Sequence, residues 1–235
     1  MDESRRVVLE RADQLQAPLA LLGRDFSNNL HGDGSWDYHS SKENQQSILD
    51  LRSGLSGGYQ ADNSSIALAT LEILADHGFE VDDHALRKGL QDVRWPGRLE
   101  YQVLNGRRYL LDGAHNPAGV ISLKESLENE FPYQKLILVW ASMVDKDIKK
   151  SLLPLAPLAD TIILTMPEQI RSARPEMIKG LLPPERHDDC FCLTEVDQAL
   201  AKAHELAGPD DLICVAGSLY LVGKARFMLL GEVVE

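Results

Sequence analysis

The strongest chemical signal in this chain is the segment Leu110-Leu-Asp-Gly-Ala-His-Asn-Pro117. It predicts a strand that ends at Asp112, a glycine turn, and a helix opened by Asn116 and Pro117, because asparagine is a good N-cap and proline suits the first helical turn. Asp112 and His115 would then lie, partly exposed, at the carboxyl end of a strand beside a helix N-terminus, where α/β sheets collect ligands and anions are stabilised. The alternative is that Asn116 only caps the helix and His115 only packs.

Arg98 is the second candidate, within Trp95-Pro-Gly-Arg98-Leu-Glu100. Proline and glycine make this segment a natural hinge. An arginine at such a point could reach a phosphate or a carboxylate. The alternative, which the residues alone favour, is a surface ion pair between Arg98 and Glu100.

Two weaker candidates are polar turns that precede helices. Gln60 and Asn63 stand ahead of an apolar stretch and could hydrogen-bond a planar ring, although helix capping by Asn63 is the simpler interpretation. Gly217 and Ser218 form a strand–glycine–helix junction that could cradle an anion. Such junctions are common, so this signal is weak.

Several well-known motifs are absent from the sequence. It contains no G-x-x-x-x-G-K-[ST] phosphate loop, no G-x-G-x-x-G, no H-E-x-x-H and no G-x-S-x-G. A self-contained nucleotidase, dehydrogenase, zinc protease or serine hydrolase therefore has no support. Cys190-Phe-Cys192 could be a metal or redox pair, but its alternation is more typical of one strand whose two cysteines share a face, so we assign no metal ligands.

From Arg98 onward the pattern predicts alternating strands and helices. An Asn105-Gly106 turn predicts a hairpin between strands 98–103 and 108–111. Apolar strands follow at 135–140, 161–165, 190–193 and 211–215, with helices at 117–130, 147–158, 175–182 and 195–207 and a last helix after Ser218. Such alternation predicts an α/β fold: a mixed, mostly parallel six-stranded sheet with helices on both faces.

The first 95 residues follow another pattern. We predict a helix over 1–16, a strand at 18–22, a polar stretch over 27–35, strands at 36–39 and 46–51, and helices over 62–77 and 82–92. The helix over 62–77 is apolar on most faces, so we expect it to be buried. The helix over 82–92 precedes the Pro96-Gly97 hinge. The domain boundary is therefore predicted between residues 95 and 96.

Charge, apolar runs and cysteine count limit the classes of partner and the cellular location that the sequence supports. The 235 residues carry a net charge of −12, which argues against nucleic acid or an anionic membrane as a partner. No apolar run approaches the roughly 20 residues that span a bilayer, and the first residues lack the apolar core of a secretory signal. Three cysteines suit a reducing compartment, so we expect a cytoplasmic protein.

Taken together, the segments resemble the folylpolyglutamate synthase/dihydrofolate synthase family of the Mur ligase superfamily. The resemblance rests on ordered pieces across most of the chain: Gly23-Arg-Asp-Phe26, Gly58-Tyr-Gln60 with Asn63, Trp95-Pro-Gly-Arg98-Leu-Glu100, Leu111-Asp-Gly-Ala-His-Asn-Pro117, Asp145-Lys-Asp147 and Gly217-Ser-Leu-Tyr-Leu-Val-Gly223. Tyr59 departs from the pattern, since histidine is more usual there. The resemblance implies that 1–95 are the last segment of a central ATPase domain and that 96–235 are a Rossmann-like C-terminal ligase domain.

The family reaction is ATP-dependent amide formation between L-glutamate and the carboxylate of dihydropteroate or a folate, through an acyl phosphate. The resemblance implies that Asn63 contacts the adenine, Arg98 a phosphate and Asp112 the ribose hydroxyls. It places His115 close by, near phosphate or the incoming glutamate, as the candidate catalytic residue. ATP and Mg²⁺ are the implied cofactors.

Family members carry a phosphate loop, magnesium ligands and most of a pterin pocket in an N-terminal region that would lie upstream of Met1. We therefore expect a piece of a longer ligase that is inactive by itself. Two alternatives stay open: a non-catalytic nucleotide- or protein-binding α/β module, and a piece of a cell-wall Mur ligase, against which Gly217–Gly223 favours the folate branch.

Overall fold

The computed structural model describes residues 3–42 and 46–231. The chain divides into two compact units. Unit 1 comprises the described residues up to Gly54 together with Gly58–Val93, and unit 2 comprises Leu55–Gly57 and the described residues from Arg94 onward. Among the helices of the described residues, none combines the length and apolar character needed to cross a bilayer.

Unit 1 is a small antiparallel sheet with three helices. Its elements are α1 (Glu3–Leu15), β1 (Phe26–Leu30), β2 (Trp36–Ser40), β3 (Ile48–Leu51), α2 (Tyr59–Ala75) and α3 (Asp83–Asp92). The sheet order is β1-β2-β3, with both pairs antiparallel. Its core consists of Phe26, Trp36, Tyr38, Leu51, Ala61, Leu68 and Ala69.

Two predictions for unit 1 are wrong at the first strand. Residues 18–22 do not form a strand, and β1 overlaps the polar stretch 27–35, in which we predicted no strand. The reason is tertiary: the Asn28 amide donates to the Asp62 carboxylate at 2.8 Å and to the Ser65 hydroxyl at 3.2 Å. The backbone of β1 pairs with β2, and α2 supplies partners for the half-buried Asn28 side chain, so a polar sequence forms a strand here.

The start of α2 also differs from the prediction. The helix begins at Tyr59 with Gly58 at the N-cap position and no side-chain capping bond. Asn63 therefore lies in the second turn and does not cap the helix, so capping by Asn63 is wrong. The polar residues Asp62 and Ser65 serve the contact with β1 instead.

Unit 2 contains the predicted α/β sheet. Its elements are β4 (Glu100–Leu104), β5 (Arg107–Leu111), α4 (Pro117–Asn129), β6 (Leu136–Trp140), α5 (Ile148–Leu152), β7 (Thr161–Leu164), α6 (Pro175–Lys179), a short 3₁₀ turn (Pro184–Arg186), β8 (Cys190–Cys192), α7 (Val196–Leu206), β9 (Leu212–Ala216) and α8 (Leu219–Leu230). The helix predicted over 147–158 ends at Leu152, because Pro154 lacks the N–H that would continue it.

The strand order is β4-β5-β9-β6-β7-β8. Only the β4–β5 pair is antiparallel, and the other four pairs are parallel. From β5 through β6 and β7 to β8, the chain moves across the sheet toward the β8 edge. From β8 to β9 it moves back toward β5. Since crossovers are right-handed, α4, α5 and α6 cover one face and α7 the opposite face, where α8 packs too. The predicted fold class is confirmed.

The hairpin that opens unit 2 follows from two residues. Asn105 and Gly106 have φ values of 49° and 74°, the left-handed conformations that a tight β4–β5 connection requires. The hairpin pairs β4 with β5, and β5 pairs with the central strand β9, so the end of β5 lies beside the end of β9. The candidate residues of unit 2, Arg98, Asp112, His115, Gly217 and Ser218, lie at this carboxyl edge.

Candidate functional site

The turn after β5 has the predicted architecture. The strand ends at Leu111, and α4 begins at Pro117 with Asn116 as its N-cap. The Asn116 side-chain oxygen accepts a hydrogen bond from the Gly119 amide at 2.9 Å. Asp112 and His115 thus lie between the carboxyl end of a strand and the N-terminus of a helix, a position where partial positive charge favours anions.

Asp112 is buried, with 4% of its surface exposed. We expected it to be partly exposed, and that expectation is wrong. One carboxylate oxygen accepts from the Leu99 amide and the other from the Ala114 amide, both at 2.8 Å. Burial raises the pKa of this carboxyl, whereas the two backbone bonds and the positive charge of Arg98 oppose that rise. Asp112 therefore joins two loops of the site.

The first of these loops is Trp95–Leu99, which carries Arg98. The Gly97 carbonyl accepts from the Gly113 amide at 2.7 Å, so this loop also bonds directly to the turn after β5. Gly97 and Leu99 have φ values of 71° and 44°. A left-handed conformation is strained for leucine, and it persists here because the Leu99 amide is held by Asp112.

Arg98 itself is exposed. Its alternative ion pair with Glu100 is not formed, because the Glu100 carboxylate contacts the Arg226 guanidinium at 3.0 Å. The Arg98 side chain is thus presented to solvent from a loop whose neighbouring residues are buried. This arrangement suits a cation that binds an incoming anion.

His115 is half-buried, and its Nδ1 lies 2.8 Å from the Gly113 carbonyl oxygen. A carbonyl can only accept a hydrogen bond, so Nδ1 carries a proton and donates it. In the neutral ring Nε2 is then the acceptor. His115 can accept a proton at Nε2, or donate one there when it is charged.

A third loop reaches the same edge at the end of β9. Gly217 has a φ of 96°, and a Cβ there would collide with the Ala141 carbonyl oxygen and the Trp140 ring. The Gly217 amide donates to the Ala114 carbonyl at 2.8 Å, and Ser218 caps α8 by accepting from the Tyr220 amide at 3.2 Å. Because the Gly217 amide is used inside the fold, its role here is to join the loops.

Asn63 belongs to unit 1, whereas Arg98, Asp112 and His115 belong to unit 2. Asn63 is exposed, and its amide nitrogen donates to the Gln60 side-chain oxygen at 2.9 Å. Gln60 is buried, and its Nε2 has no hydrogen-bond partner within residues 3–42 and 46–231. The pair therefore holds an exposed amide in place on α2.

In the part of the chain that the structure describes, no group of three or more His, Cys, Asp or Glu side chains could hold a metal ion. The site of unit 2 offers a cation, a helix N-terminus, a buried carboxylate and a histidine, but no nucleophile paired with a base. Its chemistry is that of binding and orienting a ligand.

The residues alone did not point to the Glu100–Arg226 pair. Glu100 was considered only as a partner for Arg98, and Arg226 lies 126 positions further along the chain. The signal in the sequence is the presence of two charged residues, Lys224 and Arg226, within the apolar run of α8.

The mostly parallel sheet, with loops gathered at its carboxyl edge, defines a doubly wound α/β domain. Residues 97–219 match the family described as Mur ligase, glutamate ligase domain. That match spans more than half of the 235 residues, so the chain belongs to the Mur ligase family.

Individual relatives agree with the resemblance to folylpolyglutamate synthases. The chain is 33% identical over 184 residues to the probable bifunctional folylpolyglutamate synthase/dihydropteroate synthase of Haloferax volcanii, covering 78% of this chain and 21% of that protein. It is 32% identical over 213 residues to the folylpolyglutamate synthase of Lacticaseibacillus casei, covering 88% and 47%. The predicted family is confirmed.

The structure superimposes on the folylpolyglutamate synthase of Mycobacterium tuberculosis complexed with ADP. The TM-score is 0.84 at 26% identity, with 98% of this chain and 53% of that chain covered. This chain therefore spans about half the length of the M. tuberculosis and L. casei proteins, and about a fifth of the H. volcanii protein.

Proposed function

We propose that this chain is the nucleotide-facing part of an ATP-dependent ligase that joins L-glutamate to dihydropteroate or a (tetrahydro)folate. The observation that carries the proposal is the bonding of the Arg98 loop to the turn after β5 by Asp112, at the carboxyl edge of a Mur ligase sheet. The ligases named among its relatives, one of them in complex with ADP, support the same reaction.

In this proposal the substrate carboxylate is phosphorylated by ATP to an acyl phosphate, which has a good leaving group. The neutral amine of glutamate attacks the carbonyl carbon, an amide bond forms, the carbon–oxygen bond to phosphate breaks, and the nitrogen loses a proton to solvent. ADP and inorganic phosphate are the other products. The protein contributes by positioning and by balancing charge, because its site holds no nucleophile of its own.

Each candidate residue has a place in this scheme. Arg98 binds a phosphate, since it is an exposed cation on a fixed loop. Asp112 accepts from the ribose hydroxyls; its oxygens each accept one backbone bond and keep a further lone pair. Asn63 contacts the adenine, and His115, with Nε2 directed away from its bond to Gly113, lies near phosphate or the incoming glutamate.

The residues fit ATP better than they fit a metal. A cation, a buried carboxylate and two helix N-termini suit a nucleotide phosphate and its ribose. Mg²⁺ would offset the charge of the transferring phosphoryl group, and we assign its ligands, like the phosphate loop, to a further region of the ligase. We assign residues 1–95 to the end of an ATPase domain and 96–235 to the ligase domain, and the free cysteines suit a cytoplasmic enzyme.

Calorimetric titration of the chain with ADP at millimolar concentrations tests the nucleotide site. We expect measurable binding, weakened about tenfold by Arg98→Ala and comparably by Asp112→Ala, because each removes a charge-assisted contact. Lys202→Ala is the matched control, since Lys202 pairs only with its helical neighbour Glu205 at 3.0 Å among the ion pairs of the described residues. ADP affinities unchanged in both site variants would contradict the proposal.

Turnover is tested separately with a coupled ADP-release assay containing dihydropteroate or tetrahydrofolate, L-glutamate and magnesium-ATP. We expect no sustained turnover, because we assign the groups that bind the β- and γ-phosphates to a further region of the ligase. Such groups contribute several kcal/mol of transition-state stabilisation. Turnover that disappears in Asp112→Ala would mean that these 235 residues contain a complete phosphate site.

A further inference from the structure

Unit 2 contains a largely buried ion pair, Glu100 and Arg226, at residues to which we assign no ligand contact. The Arg226 Nε lies 3.0 Å and 3.1 Å from the two carboxylate oxygens of Glu100. Their side chains are only 10% and 14% exposed. Taking two charges out of water is costly, and replacing a buried ion pair by apolar side chains of similar size is often neutral or stabilising. The pair therefore calls for a role beyond packing.

A second contact of Glu100, with the backbone of the Arg98 loop, suggests that role. One of its oxygens accepts from the Gly97 amide at 2.8 Å. On the other side of Arg98, the Leu99 amide donates to Asp112 at 2.8 Å. Two carboxylates thus hold the backbone immediately before and immediately after Arg98.

The space around the loop leaves it little freedom to shift. A Cβ on Gly97 would lie 2.7 Å from Cγ1 of Val222 in α8, so the backbone of the loop lies directly against that helix. Arg226 projects from the same helix one turn further on. The helix that begins at the carboxyl edge therefore also anchors the Arg98 loop.

We propose that Glu100 and Arg226 are positioning residues, which set the direction of the Arg98 side chain toward the nucleotide phosphate. This inference rests on the proposed function of Arg98. Arg226 neutralises and orients the Glu100 carboxylate, Glu100 holds the Gly97 amide, and the loop then presents Arg98 in one orientation. Without the pair, Arg98 keeps its charge but loses its fixed direction.

The test compares ADP, which offers phosphates, with adenosine, which offers none, by equilibrium dialysis on the intact chain. The main variant combines Glu100→Gln with Arg226→Met, so that no unpaired charge is left buried. We expect it to bind ADP about tenfold more weakly while its adenosine affinity changes less than about twofold. The single variant Arg226→Lys keeps the charge, so it should bind ADP more tightly than the double variant and more weakly than the unaltered chain.

A double-mutant cycle with Arg98→Ala separates the two levels of the argument. If the pair acts through Arg98, the Glu100→Gln/Arg226→Met change has no further effect on ADP binding once Arg98 is alanine. Full additivity, or an equal loss of adenosine binding, would overturn the positioning role and leave the proposed function intact.

Two further outcomes complete the experiment. ADP binding unaffected by Arg98→Ala, or not measurable in the unaltered chain, would overturn the proposed phosphate contact and with it this inference. Asp210→Asn is the matched control, because it removes the acidic partner of an arginine in the same unit, Arg108, at a contact of 2.8 Å. It should leave both affinities unchanged.

Discussion

The two units bury very different amounts of apolar side chain. Among the described residues, seven apolar side chains are buried in unit 1 and forty in unit 2. The sheet of unit 2 is covered on both faces, whereas α2 of unit 1 leaves Ile66, Ile73 and Leu74 exposed. We had predicted that this helix would be buried on most faces. A small core gives each of its side chains a larger share of the stability.

The difference shows where a precise site can be built. Arg98, Asp112 and His115 lie on two loops that the Asp112 carboxylate joins, and the Asp112 amide donates to the Val215 carbonyl of β9 at 3.0 Å. Groups that must hold a ligand in one geometry need such rigid support. Asn63, by contrast, lies on a helix of the unit with the smaller core, so its contribution depends more on the stability of that unit.

The largest expected effect is on the small core. Trp36→Ala in unit 1 should cost about 4 kcal/mol and leave that unit unfolded, whereas Leu138→Ala in unit 2 should cost about 3 kcal/mol and leave its unit folded. Amide hydrogen exchange read separately for peptides of each unit measures this. Equal protection of both units in the two variants would contradict the comparison.

Within unit 2, backbone geometry should matter next. Gly217→Ala places a Cβ against a carbonyl oxygen and the Trp140 ring, and we expect a loss of about 3 kcal/mol in the free energy of unfolding. Gly106→Ala is the control: its φ is also positive, at 74°, but a Cβ there meets nothing within 4 Å. Strain alone should cost about 1 kcal/mol. Denaturant melts decide whether the two losses differ.

Acidification should change the stability that Asp33 contributes in unit 1 and the stability that Asp112 contributes in unit 2 in opposite directions. Asp33 in unit 1 has its pKa lowered, first by the Ser35 hydroxyl, so its contribution is present above the unfolded pKa and is lost as pH falls. Burial raises the pKa of Asp112 in unit 2, so the native state binds more protons there and stability falls as pH rises through that window.

Denaturant melts from pH 3 to 7 check this. The stability advantage of the unaltered chain over Asp33→Asn should shrink on acidification, and its advantage over Asp112→Asn should grow. If both differences move in the same direction, the contrast between the two carboxylates is refuted.

The smallest expected effect concerns the cysteines, all of which lie in unit 2. Burial raises the pKa of the Cys190 thiol to about 11, and it raises that of Cys214 too. Both should therefore react slowly with iodoacetamide at pH 8, at rates set by opening of unit 2. Mass spectrometry of the labelled peptides gives the rates, with the chain in denaturant as the fast reference. Rapid labelling of native Cys214 would show that unit 2 opens easily.

Sequence patterns predicted unit 2 better than unit 1, because the residues that specify the turns and strands of unit 2 are neighbours along the chain. Asn105-Gly106 specifies a tight hairpin, and apolar runs such as Leu136–Trp140 specify strands buried on both faces. In unit 1 the strand Phe26–Leu30 pairs with β2, and α2, more than thirty positions later, provides the side-chain partners of Asn28. No window of sequence around Asn28 contains that information.

The same division applies to the candidate site. The sequence by itself determined which residue types stand at the carboxyl end of β5, and it predicted the Asn116 cap and the helix after it, since these depend on neighbours along the chain. Tertiary structure alone decided that Asp112 is buried, that Glu100 pairs with Arg226 and not with Arg98, and that Leu99 keeps a strained backbone. Each of these depends on partners distant in sequence, whose approach is set by how the sheet packs.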